Sequence, residues 1–387
     1  MKIYLDNAAT TPLDREVFSE MEPFFFEGFG NPSSAHGVGR EARKAVEKAR
    51  ETIAGLLNAQ PNQILFTAGG TEADNTAIRS AIESSGIKLA VTTHFEHHAV
   101  LNTLKSLEST GAIKLLYLMH DKKGNISLKH LENILAFHER AFVSVMHGNN
   151  EIGNLNDIEA IAEMCSKYNA LFHTDTVQTM GHYVYDLREL KADFIIGSAH
   201  KFNGPKGAGF LYHGNRTDLA SIITGGGQEN GRRAGTENVA GIVGMAKALE
   251  IAYRDLDADR NRIQALKTRM IGRLKDEIPE ISFNGNSADP QKSLYTVLSL
   301  SLPSSAEFST ALAFLDSQNI CASGGSACTS HSTGGSHVLH ALNYNFERTV
   351  IRFSFGKYNT EQDIDYTVDK LVGLYHTSGP KQLRIAG

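Results

Sequence analysis

Lys201 and Asp175 stand where a charged side chain is hardest to explain. Each ends a short apolar run that reads as a buried strand: Ala170-Leu171-Phe172-His173-Thr174 runs into Asp175, and Asp193-Phe194-Ile195-Ile196-Gly197 leads through Ser198-Ala199-His200 to Lys201. A carboxylate at such a place is costly unless it meets a cation or a cap. An ammonium in a dry pocket is destabilised, so its pKa falls and it becomes a nucleophilic amine. A third strand, Gln63-Ile64-Leu65-Phe66-Thr67, opens into Ala68-Gly69-Gly70-Thr71-Glu72-Ala73. Bare glycine amides, a hydroxyl and a helix N-terminus there form an anion cup; the ending of a Walker loop is absent. A cup for a phosphate, a carboxylate for a protonated ring nitrogen and an amine for an aldehyde together meet the needs of pyridoxal phosphate, with His97 as a flat partner for the ring. Taken singly, each residue has a bland reading as a turn, cap or surface charge. The combination in one order carries the expectation.

Apolar strands must deliver these groups to one rim. In a mainly parallel sheet, ligands sit at the carboxyl edge of the strands. Val46, Ala49, Ile53 and Leu56 recur at helical spacing, as do Ile158, Ile161, Ala162 and Cys165, the latter with Asn156 as cap and Glu159 three residues on. Ala208-Gly209-Phe210-Leu211-Tyr212 adds another strand. Alternating strands and helices predict an α/β fold with helices on both faces. Near Asp255 a second unit begins, with Ile263, Leu266, Met270 and Leu274 on one helix stripe and strands at 295–302 and 349–355. The expected division is a large domain, 15–255, and a smaller α+β domain from 1–14 and 256–387.

The 387 residues can fill such a core: 41% are hydrophobic and 21% charged, which excludes a disordered chain. A formal charge of −5 leaves no basic footprint, so no nucleic-acid partner is expected. No apolar run suits a membrane span, and the start carries no secretory pattern. Three cysteines rule out a disulfide framework and fit a reducing cytoplasm. Cys165 reads as core, and Cys321 in Asn319-Ile320-Cys321-Ala322 reads as structural. Cys328 is different. Between 323 and 335, Gly324, Gly325, Gly334, Gly335 and four serines surround it, a composition expected to form a mobile surface loop. An exposed thiol is an oxidation liability, which makes sense if it must travel between a pocket and an outside acceptor. The groups Cys328, His331, His337, His340 and His94, His97, His98 match no standard zinc spacing, so no metal is expected. Gly37-Val38-Gly39-Arg40-Glu41-Ala42 fits a dinucleotide pattern but lacks the preceding strand.

The sequence resembles the cysteine desulfurases of the pyridoxal-phosphate class V aminotransferase-like superfamily, nearly end to end. The resemblance runs through Tyr4-Leu5-Asp6-Asn7-Ala8-Ala9-Thr10-Thr11, Gly30-Asn31-Pro32-Ser33-Ser34-Ala35-His36, the glycine turn to Asn75 and Glu96-His97-His98-Ala99-Val100. It continues in His147-Gly148-Asn149-Asn150-Glu151, His173-Thr174-Asp175-Thr176-Val177-Gln178 and Ser198-Ala199-His200-Lys201. Gly231-Arg232-Arg233-Ala234-Gly235-Thr236, Ser323-Gly324-Gly325-Ser326-Ala327-Cys328 and Ile351-Arg352-Phe353 complete it. It implies a fold type I, aspartate aminotransferase-like transferase that converts L-cysteine to L-alanine. Lys201 would hold the cofactor and act as base at the substrate α-carbon. Asp175 would partner the ring nitrogen, Gln178 the ring hydroxyl, and His97 would stack and assist protonation. Gly70, Thr71, Ser198 and His200 would hold the phosphate, with Thr236 from the opposite subunit of a homodimer with shared sites. Asn150 would lie near the ring and the substrate carboxylate, Arg352 would clamp that carboxylate, and Asn31 lies in the segment that approaches it. Cys328 would become a persulfide for a sulfur acceptor such as an iron–sulfur scaffold.

For Arg352 the residues agree independently, since Ile351, Phe353 and Phe355 share one strand face and leave the arginine opposite. Selenocysteine lyase, transamination on the same scaffold, or a mainly binding role in sulfur delivery are the competing readings. His331-Ser332-Thr333-Gly334-Gly335-Ser336-His337 departs from the family where an acidic residue and a proline are common, and Asn343 stands where glycine is common. Both departures bear on acceptor choice rather than cofactor chemistry.

Overall fold

The computed structural model describes residues 2–216, 218–304, 308–324, 335–345 and 347–378. The elements run β1 (Ile3–Tyr4), α1 (Arg15–Met21), α2 (Pro23–Phe26), α3 (Gly37–Leu56), β2 (Ile64–Thr67), α4 (Gly70–Ser85), β3 (Leu89–Thr92), α5 (His98–Ser109) and β4 (Lys114–Tyr117). Then come α6 (Leu128–Ala136), β5 (Phe142–Ser144), α7 (Ile158–Lys167), β6 (Leu171–Thr174), β7 (Phe194–Ser198), β8 (Gly209–His213) and α8 (Val239–Arg254). The chain continues through α9 (Leu256–Glu277), β9 (Ser282–Phe283), β10 (Val297–Ser301), α10 (Ala311–Ser317), β11 (Ile320–Cys321), α11 (His337–Ala341), β12 (Val350–Ser354) and α12 (Glu361–Ser378). They group into two compact units, one of Thr10–Asn149 and Leu155–Asp257, the other of Met1–Ala9, Asn150–Asn154 and Ala258–Gly387.

The larger unit is built on a seven-stranded sheet in the order β2-β8-β7-β6-β5-β3-β4. From β7 to β4 every neighbour is parallel, whereas β8 runs antiparallel to both β2 and β7. Successive residues of each strand feed opposite faces, as a period of two demands. Ile64, Phe66, Val91, Val143, Phe172 and Ile195 join one apolar cluster with α3, α7 and α8. Leu65, Ala90, Phe142, Leu171, Phe194 and Ile196 join another with α4 and α5. Both faces are therefore covered, and each fully buried Leu, Ile or Phe contributes roughly 1.5–3 kcal/mol. Glycine lets β2, β7 and β8 close up beside the predicted cup. A Cβ on Gly197 would meet the Phe210 ring at 2.1 Å, and one on Gly209 would meet the Gly69 backbone at 2.7 Å.

Helix α7 corrects one expectation. Its cap is Asp157, whose carboxylate accepts from Ala160 N at 3.0 Å, and not Asn156. The Asn156 amide is engaged elsewhere, donating to the Met146 carbonyl at 2.8 Å. In the smaller unit β10 lies antiparallel between β12 and β9, while β1 pairs parallel with β11. The stripe Ile263, Leu266, Met270 and Leu274 is buried along α9, together with Lys267, whose ammonium donates to Ser293 Oγ and the Leu294 carbonyl at 2.9 and 2.6 Å. Burial pushes that ammonium down to about 7. Paired arginines then tie α9 to α12, Arg269 to Asp365 and Arg273 to Asp369, each at 2.7 Å.

Candidate active site

β6 ends at Thr174 and Asp175 follows it into the rim, buried, with one carboxylate oxygen accepting from Val177 N at 2.8 Å. Burial raises its pKa; the charges of His97 and then Lys201 pull the other way. His97 and Lys201 thus each lie within electrostatic reach of Asp175. Lys201 closes a short 3-10 turn, Ala199–Lys201, directly after β7. That turn is fastened by Thr11, whose amide donates to the His200 carbonyl at 2.9 Å and whose hydroxyl accepts from Asn203 N at 2.8 Å. His97 caps α5 by accepting from Ala99 N at 3.1 Å through Nδ1. With Nδ1 an acceptor, a ring proton belongs on Nε2.

The glycine turn has the form of a phosphate cup. α4 begins at Gly70, and its cap residue Gly69 offers no side-chain hydrogen bond, so the first amides of a 16-residue helix have no such cap. A Cβ on Gly70 would meet Val177 Cγ2 at 2.7 Å, and one on Gly69 would lie 3.8 Å from Ser198 Oγ. Thr71 follows in the first helical turn, and Ser198 is buried beside the cup. His200 adds a ring that burial, then Lys201 and Lys206, push down to about 4, with Nδ1 3.2 Å from Thr10 Oγ1. Gln178 is buried in the turn after Asp175. A helix terminus that only glycine fits, a hydroxyl, a buried carboxylate and an amine suit a phosphate-bearing aromatic aldehyde.

Two residues of the expected site are exposed in the single chain. Asn31 is exposed, its carboxamide oxygen accepting from Ser33 N at 2.9 Å in a local turn. Thr236 is also exposed. In the smaller unit, Arg352 is fully buried in β12 although Ile351 and Phe353 are buried too, so both strand faces are covered. Its guanidinium donates to Asp6 Oδ1 at 2.9 Å and to the Asn150 carbonyl at 2.8 Å, while Nε has no hydrogen-bond partner among the described residues. Ser323 pairs with Arg352 through the backbone and donates its hydroxyl to Asp6 at 2.7 Å. Cys328 and His331 lie outside the described residues, as does most of the 323–335 stretch.

Sequence reasoning missed a set of buried acids behind the rim. Glu96 is fully buried, accepting from Thr93 Oγ1 at 2.8 Å and from Met146 N at 2.9 Å. It thereby ties the His97 turn to the segment after β5. Asp74 is buried as well, and its carboxyl is held well above the usual range by burial and by Asp175 and Glu96. His173, pushed down to about 3 by burial, is neutral, so its 3.3 Å approach to Asp74 is not an ion pair. The motif Glu96-His97-His98 was visible; nothing local marked its first residue as buried.

Glu96 makes a pH prediction. Burial raises its carboxyl to about 8 from 4.5, so its contribution to stability is present below 4.5 and lost as pH rises through about 8. Glu96→Gln removes that titration. The stability of the wild-type apoprotein relative to the variant should fall by roughly 4–5 kcal/mol between those limits, read by urea unfolding at several pH values. A pH-independent gap contradicts the burial argument.

A mainly parallel α/β sheet with a lysine, an aspartate and an anion cup at its rim defines a pyridoxal-phosphate enzyme of the transferase kind. The chain belongs to the Aminotransferase class-V family, whose sequence pattern matches residues 3–367, and proteins of this family depend on pyridoxal phosphate. It is 42% identical over 382 residues to "Cysteine desulfurase IscS" of Dictyoglomus turgidum, covering 96% of this chain and 93% of that protein. Among solved structures, a "NifS-like protein" superposes with a TM-score of 0.89 at 36% identity, over 97% of this chain and all of that one. "SspA in complex with cysteine" does so with a TM-score of 0.78 at 32% identity, over 93% of this chain and 100% of that one.

Proposed function

We propose that this protein is a cysteine desulfurase, taking the sulfur of L-cysteine and leaving L-alanine. The observation that carries the reading is buried Asp175 at a strand end, within electrostatic reach of half-buried His97 and Lys201, in a unit that also holds the glycine turn at the start of α4, in a chain so similar to a cysteine desulfurase. Bound pyridoxal phosphate supplies an electron sink for the substrate α-carbon. Asp175 keeps the ring nitrogen protonated, His97 covers the ring, Gln178 donates to the ring hydroxyl, and Asn150 sits by the ring and the substrate carboxylate. The amides at Gly70 and Thr71 and the side chains of Ser198 and His200 bind the phosphate, with Thr236 of a second copy in a homodimer. Lys201 holds the cofactor aldehyde and, once freed, takes the α-proton. Arg352, steadied by Asp6, binds the substrate carboxylate, which the segment holding Asn31 approaches.

Cys328 as thiolate then attacks the substrate sulfur. A sulfur–sulfur bond forms, the substrate carbon–sulfur bond breaks with its electron pair left on carbon, and protonation of that carbon, assisted by His97, with return of the α-proton from Lys201, gives alanine. The persulfide passes to an acceptor thiol, an iron–sulfur scaffold protein being the class we favour, in the reducing cytoplasm where a free thiol survives.

Incubation with L-cysteine and a reductant should yield equal alanine and sulfide, and incubation without reductant should leave one added sulfur on the Cys328 peptide by mass spectrometry. Cys328→Ser should lower sulfide release about 1000-fold or more, the scale of losing a nucleophile. Transamination needs no thiol; unchanged turnover in that variant would overturn the sulfur-transfer reading.

A further inference from the structure

We propose that the buried ion pair of Arg50 and Glu229 is a positioning device that sets the segment carrying Thr236 so that it reaches the phosphate bound by a second copy of the chain. The inference rests on the reading of Thr236 given above and adds what holds that residue in place.

From Ile223 to Arg233 every residue is exposed or half-exposed except Glu229. Gly225, Gly226, Gly227 and Gly231 give this run wide conformational freedom. It closes on itself through Ala234 N to the Ile223 carbonyl at 3.0 Å and Gly235 N to Gln228 Oε1 at 3.2 Å. Arg232, on the Asn62 carbonyl at 3.3 Å and His213 Nε2 at 2.9 Å, ties its far end to the body of the unit, and at its middle the buried carboxylate of Glu229 does so. Arg50 forks onto Glu229, NH2 to Oε1 at 2.7 Å and NH1 to Oε2 at 2.9 Å. Phe66 N donates to the same Oε2 at 2.9 Å. The guanidinium is itself held by the Ile64 carbonyl at 2.7 Å and lies 4.5 Å from the centre of the Phe66 ring.

The backbone at this anchor is strained. Glu229 (φ 46°, ψ 41°) and Asn230 (φ 57°, ψ 33°) are consecutive left-handed residues, with Gly231 at φ 78° after them. Such a conformation persists only where surrounding contacts over-determine it, and the fork onto Glu229 supplies them. Downstream, Arg233 meets Glu72 at 2.9 Å in the first turn of α4, and Thr236 stands exposed three residues on. The same carboxylate therefore grips β2, which leads into this chain's own cup, and sets the segment offered to the other chain.

Subunit-specific complementation tests this. Glu229→Gln keeps the shape but loses the charge. Its homodimer should bind pyridoxal phosphate at least about tenfold more weakly in an absorbance titration, and its apoprotein should melt below the wild type because Arg50 stays buried. Paired with Lys201→Ala chains in tagged heterodimers, Glu229→Gln chains should recover borohydride-trapped cofactor, because an intact segment arrives from the other subunit. Thr236→Ala paired with Lys201→Ala is the control for shared sites. Recovery in the control but not with Glu229→Gln overturns the proposal and leaves the sharing intact. Failure of both overturns the shared-site reading and the proposal with it. Where Glu229→Gln does not fold, Arg50→Lys, which keeps the charge and loses the fork, takes its place in the same pairings, and the same pattern of recovery supports or overturns the proposal.

Discussion

Lys201→Ala is expected to lower kcat by at least about 10,000-fold, or some 5.5 kcal/mol of barrier. On the proposed roles of Lys201, the change removes both the covalent tether of the cofactor and the base at the α-carbon. The fold should survive it. The turn is held by backbone contacts that the substitution leaves alone: Thr11 on the His200 carbonyl, Gly204 N on the Ala199 carbonyl at 2.8 Å, and Asp14 N on the Asn203 carbonyl at 3.0 Å. The diagnostic measurement is borohydride reduction followed by peptide mass analysis. Wild-type protein should carry the reduced cofactor on the peptide containing Lys201, and the variant should carry none while still binding the cofactor reversibly. Trapping on another lysine of the variant would remove the assignment.

Asp175→Asn should cost about 1000-fold in kcat, and its effect on stability should reverse between apo and holo forms. In the apoprotein the Asp175 carboxyl is buried, with its pKa raised by desolvation. A group raised in this way stabilises the fold below its unfolded pKa and ceases to do so as pH rises through its folded value. The neutral asparagine keeps an oxygen for Val177 N and avoids the desolvation, so the variant apoprotein should melt at or above the wild type at neutral pH. On the proposed role of Asp175, the carboxylate meets a protonated ring nitrogen once the cofactor is bound and the asparagine does not, so the wild type should then melt higher. Differential scanning of both forms gives the sign in each state. A structural role would move both melting points the same way.

Much of the candidate site was legible because its residues sit at the ends of strands. Continuous apolar runs of four or five residues announced β6 and β7, and the polar residues after them, Asp175 and Lys201, had to lie at a rim. The glycine turn before α4 was legible for a similar reason: bare amides at a helix start are a local property. Arg352 was singled out by the family resemblance with strand alternation in support, although its burial came from packing on both faces of β12 rather than from one. The direction of β8 was not legible, since a buried strand reads alike whichever way it runs. Asn156 and Asp157 are both good caps by type, and only the Met146 carbonyl decided between them.

What the sequence by itself determined is the chemistry available: which residue types stand at which strand ends, and through them the family. Those features are encoded in local periodicity, where burial and side-chain type are correlated over a few residues. What the tertiary structure decided is the partnership of distant charges. Arg352 meets Asp6 across the span of the chain, Arg50 meets Glu229, and Glu96 holds the His97 turn to Met146. No local pattern specifies such pairs, because a charge is buried only where folding brings its counterpart or a set of donors to the same place.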